Sequence, residues 1–382
     1  MIIQRSRVKN VNVTAKTRAL RFANNRCGTV LPSILLIKYT ADSFKNLKRG
    51  GFPMDPRCAP AYAGFATFLR ARTGAPQDVN AGDVGIYGMP FDTTCGSRQG
   101  ARFGPRAIRE ESLHFMYQMG ALTTDRKEMV NIHTGKTFRF PPRDVVVDTG
   151  DSDVFPADVA RTAAAIEEHV FEIARRGALP VGMGGDHYVT YPAVRGVERA
   201  CTERFGRANM GYVHIDAHLD LTDDTEAWGR HYHGSIARRV GELPGVDPRR
   251  MVWIGTGGSF QTVERWEYVR TSGATVFNVR DIDRLGIDEV VTKAGEIAAD
   301  GADGVYVTVD IDVVDHAFAP GTGSFVFGGV TSAQFLHLME QLARLPVLAI
   351  DLVEVAPDLD PTGGTQRLAA MGIITFLMDR IF

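Results

Sequence analysis

The 382-residue chain is 44% hydrophobic and 23% charged, close to the average for soluble globular proteins, which excludes a disordered chain, a collagen repeat or a coiled coil. No run of about 18 apolar residues exists, so a membrane-spanning helix is not expected; the longest oily stretch, Val30 to Ile37, is broken by Pro32 and Ser33. The net charge of −2 divides unevenly: residues 1–53 carry eleven Lys and Arg against one acid, Asp42, a net +10, and the rest holds 32 bases and 44 acids, a net −12.

Residues 1–53 therefore read as a basic N-terminal extension, poorly ordered or lying upstream of the true start at Met54. The segment is Arg-rich and acid-poor like a transit peptide, but it lacks an amphipathic period. Residues 54–382 are expected to form a single domain. Cys27, Cys58, Cys95 and Cys201 are widely spaced with no CxxC pair. They give no disulfide framework and no cysteine zinc site, and a reducing, cytoplasmic compartment is expected.

Beyond residue 80, short β-rich apolar runs recur at Val84–Tyr87, Val145–Val147, Leu179–Met183 and Met210–Ile215. They continue at Met251–Ile254, Thr275–Val279, Val305–Val309 and Val347–Val353. Helical patterns lie between most of them, the clearest at Pro156–Arg176, Ile287–Asp300, Ser332–Leu345 and Leu368–Phe382. Alternation of strand and helix predicts an α/β fold on a parallel sheet. The runs are apolar on consecutive residues, as in strands covered on both faces.

Ligands of open parallel sheets bind at the carboxyl ends of the strands. Three such ends have unusual composition. One run enters Gly184-Gly185-Asp186-His187, another Asp216-Ala217-His218-Leu219-Asp220, and a third Asp310-Ile311-Asp312. Asp216, His218 and Asp220 fall at i, i+2 and i+4, as do Asp310 and Asp312 at i and i+2, which in extended backbone puts each set on one face. A lone strand-end Asp is commonly a cap, and a lone His a packing residue. Several together repel one another without a cation. Carboxylate and imidazole without thiolate suit Mn²⁺, Ni²⁺ or Fe²⁺ more than structural zinc. Six candidates (His187, Asp216, His218, Asp220, Asp310 and Asp312) suit two ions sharing bridging carboxylates.

These three stretches resemble the metal signatures of the ureohydrolase family, the arginase and agmatinase group. Ala319-Pro320-Gly321-Thr322-Gly323, the stretch from Arg98 to Glu110 and Asp351-Leu352-Val353-Glu354-Val355 match as well. Pro56-Arg57 and Ala63 to Phe68 look most like the agmatinase branch, and the resemblance covers about residues 56–382. It implies a three-layer αβα sandwich with an eight-stranded parallel sheet, and a catalytic domain over 54–382. It also implies two Mn²⁺ per chain, with Ni²⁺ an alternative. His187 and Asp220 would hold one ion, His218 and Asp312 the other, with Asp216 and Asp310 bridging. Asp220 would also orient the hydroxide between the ions. Glu354 would pair with the substrate guanidinium, and His233 would carry protons, although His231 stands beside it. The implied reaction is hydrolysis of a small guanidino compound to urea and an amine by a trimer or hexamer, with no nucleic-acid or membrane partner.

One stretch departs from the family pattern. After Gly323 the chain reads Ser324-Phe325-Val326-Phe327, and His316 stands where proline is usual. An apolar wall there favours a guanidine with a short or uncharged tail over agmatine, unless Asp153 or Asp223 receives the agmatine ammonium. Three other classes fit less well. A dinucleotide-binding oxidoreductase lacks its glycine fingerprint, since Phe260 or His187 stands where a third glycine belongs. A single-zinc deacylase needs fewer ligands. A non-catalytic binding protein predicts the loss of some of them.

Overall fold

In a computed structural model, the structure describes residues 60–122, 128–139, 145–258 and 260–381. The basic segment 1–53, with Cys27, and the motif residues Pro56, Arg57 and Cys58 lie outside the described residues.

The main sheet is built from β1 (Arg72–Thr73), β2 (Val84–Met89), β5 (Val146–Asp151), β6 (Leu179–Gly184) and β7 (Met210–Ile215), with β8 (Val246–Thr256), β9 (Thr275–Asn278), β10 (Gly304–Asp310) and β11 (Val347–Val353). Strands β3 (Glu128–Val130) and β4 (Thr137–Arg139) form a separate antiparallel hairpin. The sheet order is β1-β5-β2-β6-β11-β10-β7-β8-β9, all parallel.

Alternate residues of each strand serve two cores. Val305, Val307 and Val309 pack with the face made by α1 (Gly104–Leu122), α7 (Ile287–Ala298), α8 (Ser332–Leu342) and α9 (Gly364–Ile381). Met210, Tyr212, Trp253 and Tyr306 join the opposite face, covered by α2 (Val159–Ala174), α3 (Thr190–Phe205) and α4 (Ile236–Val240). The result is the three-layer αβα sandwich. Each fully buried aliphatic side chain contributes about 1.5–3 kcal/mol, and the central strands are almost wholly buried.

Among the described residues the sheet has nine strands rather than eight. The extra one, Arg72–Thr73, pairs only with β5 at the edge, and two polar residues leave no apolar run to read. β8 begins five residues before its expected start, at Val246, and ends two beyond its expected end, at Thr256; Asp247–Arg250 are only partly buried and hold two arginines, an aspartate and a proline, so they show no apolar run. Val279 belongs to a helix, α6 (Val279–Leu285), and not to β9. Asn278 ends the strand by capping that helix: its Oδ1 accepts from the amides of Arg280 at 2.9 Å and Asp281 at 3.3 Å. The remaining helix of this edge is α5 (Val263–Ser272).

Candidate metal centre

Four adjacent strands, β6-β11-β10-β7, place their carboxyl ends side by side. Register keeps those ends level, with Asp310 opposite Val353 and Val309 opposite Ile215. The loop after β6 is pinned under the loop after β2. A Cβ on Gly185 would lie 1.7 Å from the carbonyl oxygen of Phe91, so no side chain fits there. The next amide, Asp186, donates to that same carbonyl at 2.9 Å. The Asp186 carboxylate accepts from Thr94 Oγ1 at 2.6 Å and from the Tyr188 amide at 3.2 Å, which fixes the turn carrying His187.

His187 Nδ1 faces three carboxylate oxygens: Asp216 Oδ2 at 3.1 Å, Asp220 Oδ2 at 3.2 Å and Asp310 Oδ2 at 3.2 Å. His218 Nδ1 faces Asp312 Oδ2 at 2.9 Å and Asp216 Oδ1 at 3.4 Å. The two sets overlap at Asp216, which offers one oxygen to each. All six expected ligands therefore meet. His187 Nδ1 and Asp216 Oδ2 are buried without a hydrogen-bond partner. Ligand atoms at about 2.0–2.2 Å from one ion stand roughly 3 Å apart, so these spacings and orphaned atoms fit a divalent cation in each set.

The reason for the convergence differs from the extended-strand expectation. β7 ends at Ile215 and β10 at Asp310. Residues 216–220 follow a bend in which Asp220 has φ 48°, and Ile311–Val313 form a 3-10 turn. Asp216 and Asp310 each fold back onto the amide two residues on, at 2.5 Å to His218 and 2.8 Å to Asp312. Such Asx turns, not strand alternation, aim the ligands inward.

The charge balance of the cluster draws positive charge into it. Burial pushes Asp310 well above the usual carboxylate range, with Asp312 and Asp216 adding to it. Burial also pushes Asp312 up to about 7, against the opposing pull of His218. Asp216 resists burial and stays well below the usual range because His214, His187 and His218 surround it. Asp312 is the main cause that draws His218 far upward. This donor set of carboxylates and imidazoles calls for added positive charge.

Behind the expected ligands lies a polar row, of which only Asp351 falls in a stretch quoted from the sequence. Thr308 pairs in register with His214 on one side and Asp351 on the other. His187 Nε2 meets Thr308 Oγ1 at 2.9 Å, and Thr308 donates to Asp351 Oδ1 at 2.5 Å. Tyr306 donates to Asp351 Oδ2 at 2.6 Å. His214 Nε2 lies 2.8 Å from Asp216 Oδ2, and its ring stacks on His187 at 4.8 Å. The signal was a polar residue inside each of three otherwise apolar runs.

Glu354 follows β11 with φ 62°; with Asp220 it is one of four described non-glycine residues at positive φ. Its Oε1 accepts from the His187 amide at 2.9 Å and lies 2.9 Å from His233 Nδ1. Burial lowers the affinity of His233 for protons, but Glu354 prevails and pushes its pKa up to about 9. His231 is exposed and turns its ring edge to Tyr188 at 6.0 Å, away from this cluster. Of the two neighbouring histidines, only His233 joins the site.

The aromatic departure follows Gly323, whose carbonyl is tied to the loop that contacts His233. His316 stacks on Phe325 at 3.7 Å, and Phe327 stands edge-on at 5.6 Å from Phe325. Ser97 Oγ donates to Gly323 O at 2.8 Å, while the adjacent Gly96 amide donates to His233 Nε2 at 2.9 Å. Phe327 and Gly328 line a neighbouring cleft of about 740 Å³ with Leu219, Thr256 and Trp266. Asp223 is engaged by Arg230, Arg238 and Arg239 and is not free for an ammonium.

The arginase family model matches residues 82–378. A guanidinopropionase of Pseudomonas aeruginosa is 35% identical over 83% of this chain and 92% of its own. An agmatinase of Cronobacter sakazakii is 34% identical over 77% of this chain and 86% of its own. Among solved structures, proclavaminate amidino hydrolase from Streptomyces clavuligerus is 32% identical with a TM-score of 0.69, covering 85% of this chain and 99% of that one. Metal-ligand geometry, sheet order and kinship converge: the chain belongs to the arginase family of metal-dependent hydrolases, which cleave guanidino compounds to urea and an amine.

Proposed function

We propose that residues 54–382 form one catalytic domain that hydrolyses a linear guanidine with two Mn²⁺ per chain, in the manner of an agmatinase. The observation that carries this reading is the pair of donor sets sharing Asp216, one around His187 and one around His218. His187 and Asp220 would hold one ion, His218 and Asp312 the other, and Asp216 and Asp310 both. The chemistry such ions supply when bound is hydroxide at neutral pH.

The chain's own residues do the rest. Glu354 is nearly buried, and its carboxylate matches the planar fork of guanidinium N–H donors, so it seats and orients the substrate. Asp220 accepts a hydrogen bond from the attacking water and aligns it. His233, tied to Glu354 at 2.9 Å, delivers a proton to the leaving amine. Fixing these groups in near-attack geometry lowers the barrier before any bond changes.

Agmatine is the leading substrate. The stacked His316 and Phe325 favour a second reading, a guanidine with a shorter or uncharged tail such as guanidinopropionate, guanidinobutyrate or guanidine itself. A cytoplasmic trimer or hexamer acting without nucleic acid completes the proposal; Cys95 and Cys201 are buried free thiols, which suits a reducing compartment. Among the described residues no helix is long and apolar enough to cross a membrane. Elemental analysis after Mn²⁺ loading should approach two ions per chain. Asp216→Asn and Asp310→Asn should each lose metal and urea release together; full activity in either variant would remove it from the ligand set.

A further inference from the structure

Cys95 takes no part in the hydrolysis just described, yet it lies against it. It follows β2, is 4% exposed, and its Sγ gathers with a His233 ring nitrogen and a Glu354 oxygen, all within 4.8 Å of one another. Among the described residues, the hydrogen bonds of Sγ are two long ones, from the Ser97 amide at 3.4 Å and to Arg98 O at 3.6 Å. Thiolate, imidazole and carboxylate with one open position is a donor set that Zn²⁺ takes readily. It is softer than the carboxylate-rich sets around His187 and His218, which suit harder ions. His233 retains 15% side-chain exposure, so solvent reaches the cluster.

We propose that Cys95, His233 and Glu354 form a third metal site, distinct from the paired ligand sets, that captures a soft divalent cation, Zn²⁺ or Cd²⁺, and inhibits the enzyme. On binding, the Cys95 thiol releases its proton to solvent as the metal–sulfur bond forms, and a protonated His233 releases a second. The ion then occupies the carboxylate that seats the guanidinium and the imidazole that carries the proton. That inhibitory consequence rests on the roles proposed for Glu354 and His233; the binding itself does not.

The test uses full-length enzyme loaded with Mn²⁺ and titrated with Cd²⁺, whose thiolate charge-transfer absorption is read without turnover. One equivalent per chain should develop the band as urea release falls. In a chain carrying Cys27→Ser and Cys58→Ser, which removes the thiols outside the site, Cys95→Ser should lose the band and raise the half-inhibitory Cd²⁺ concentration by about tenfold or more, whereas Cys201→Ser should keep both. A band that persists in Cys95→Ser would overturn the site. So would unchanged inhibition that tracks Mn²⁺ release by elemental analysis, since the ion would then act at the paired centre. X-ray absorption of the Cd²⁺-treated Cys27→Ser/Cys58→Ser chain leaves the site itself intact: one sulfur in the shell supports the site, and a shell of oxygen and nitrogen alone refutes it.

Discussion

His233 is held between two partners that ask for opposite things: Glu354 Oε1 lies 2.9 Å from Nδ1, and the Gly96 amide donates to Nε2 at 2.9 Å. Gly96 requires a lone pair on Nε2, while the carboxylate draws a second proton onto the ring. Protonation therefore breaks the Gly96 bond. A neutral ring keeps both bonds, and a charged ring would be loosened on the Gly96 side.

This arrangement sets a pH dependence. The His233 pKa is raised to about 9, so the ring is charged below that value and loses its proton as pH rises through it. If the charged ring protonates the leaving amine, kcat/KM should fall on the alkaline side near pH 9. His233→Asn should lower kcat by about 10²–10⁴-fold, the usual worth of general acid catalysis, and should abolish that limb. A pH profile with the same limb in the variant would assign it to another group.

Thr308 offers a test one layer behind the ligands. Thr308→Val removes the hydroxyl that joins His187 Nε2 to Asp351. Metal affinity should fall by about 10–100-fold, as for other partners of ligating histidines. Mn²⁺ titration gives the affinity, and saturating Mn²⁺ should restore most of kcat. Loss of kcat that metal does not restore would show a role beyond holding His187.

The aromatic loop predicts substrate choice. Burying an unpaired ammonium against it would cost on the order of several kcal/mol, and Asp223 is already taken by arginines. At least one guanidine with a shorter or uncharged tail should match or exceed agmatine in kcat/KM. A urea-release screen over agmatine, guanidinobutyrate, guanidinopropionate, arginine and guanidine decides it. Agmatine ahead of all others by a hundredfold, about 2.7 kcal/mol, would mean that the loop does not meet the substrate tail.

A chain beginning at Met54 should fold and keep its turnover, because the +10 segment before it carries none of the proposed site residues. Circular dichroism and urea release on the truncated protein check both halves of that statement. An insoluble or inactive product would tie residues 1–53 to the fold or its assembly.

The clustering of the proposed ligands was legible because each follows an apolar run, and such runs in a parallel sheet deliver their ends to one edge. His187, Asp216 and Asp310 stood out for that reason. Their mutual aim was not legible, since it depends on backbone leaving the strand: Asp220 at φ 48° and the turn at Ile311–Val313 obey no alternation. The row His214–Thr308–Asp351 was hidden for a different reason. Its members come from three strands far apart in sequence, and only the register makes them neighbours. Likewise Arg72–Thr73 joins the sheet through a partner rather than through any apolar pattern of its own.

Glu354 Oε1 grips the amide of His187 as well as the ring of His233. The proposed guanidinium seat and a proposed metal ligand thus share one joint. A guanidinium that reorients this carboxylate shifts strain onto the His187 backbone, so occupancy of the two places becomes energetically linked. By reciprocity, the factor by which a bound guanidine changes metal retention equals the factor by which metal changes guanidine affinity. Dialysis with and without a non-hydrolysable guanidine would read that number from the metal side alone.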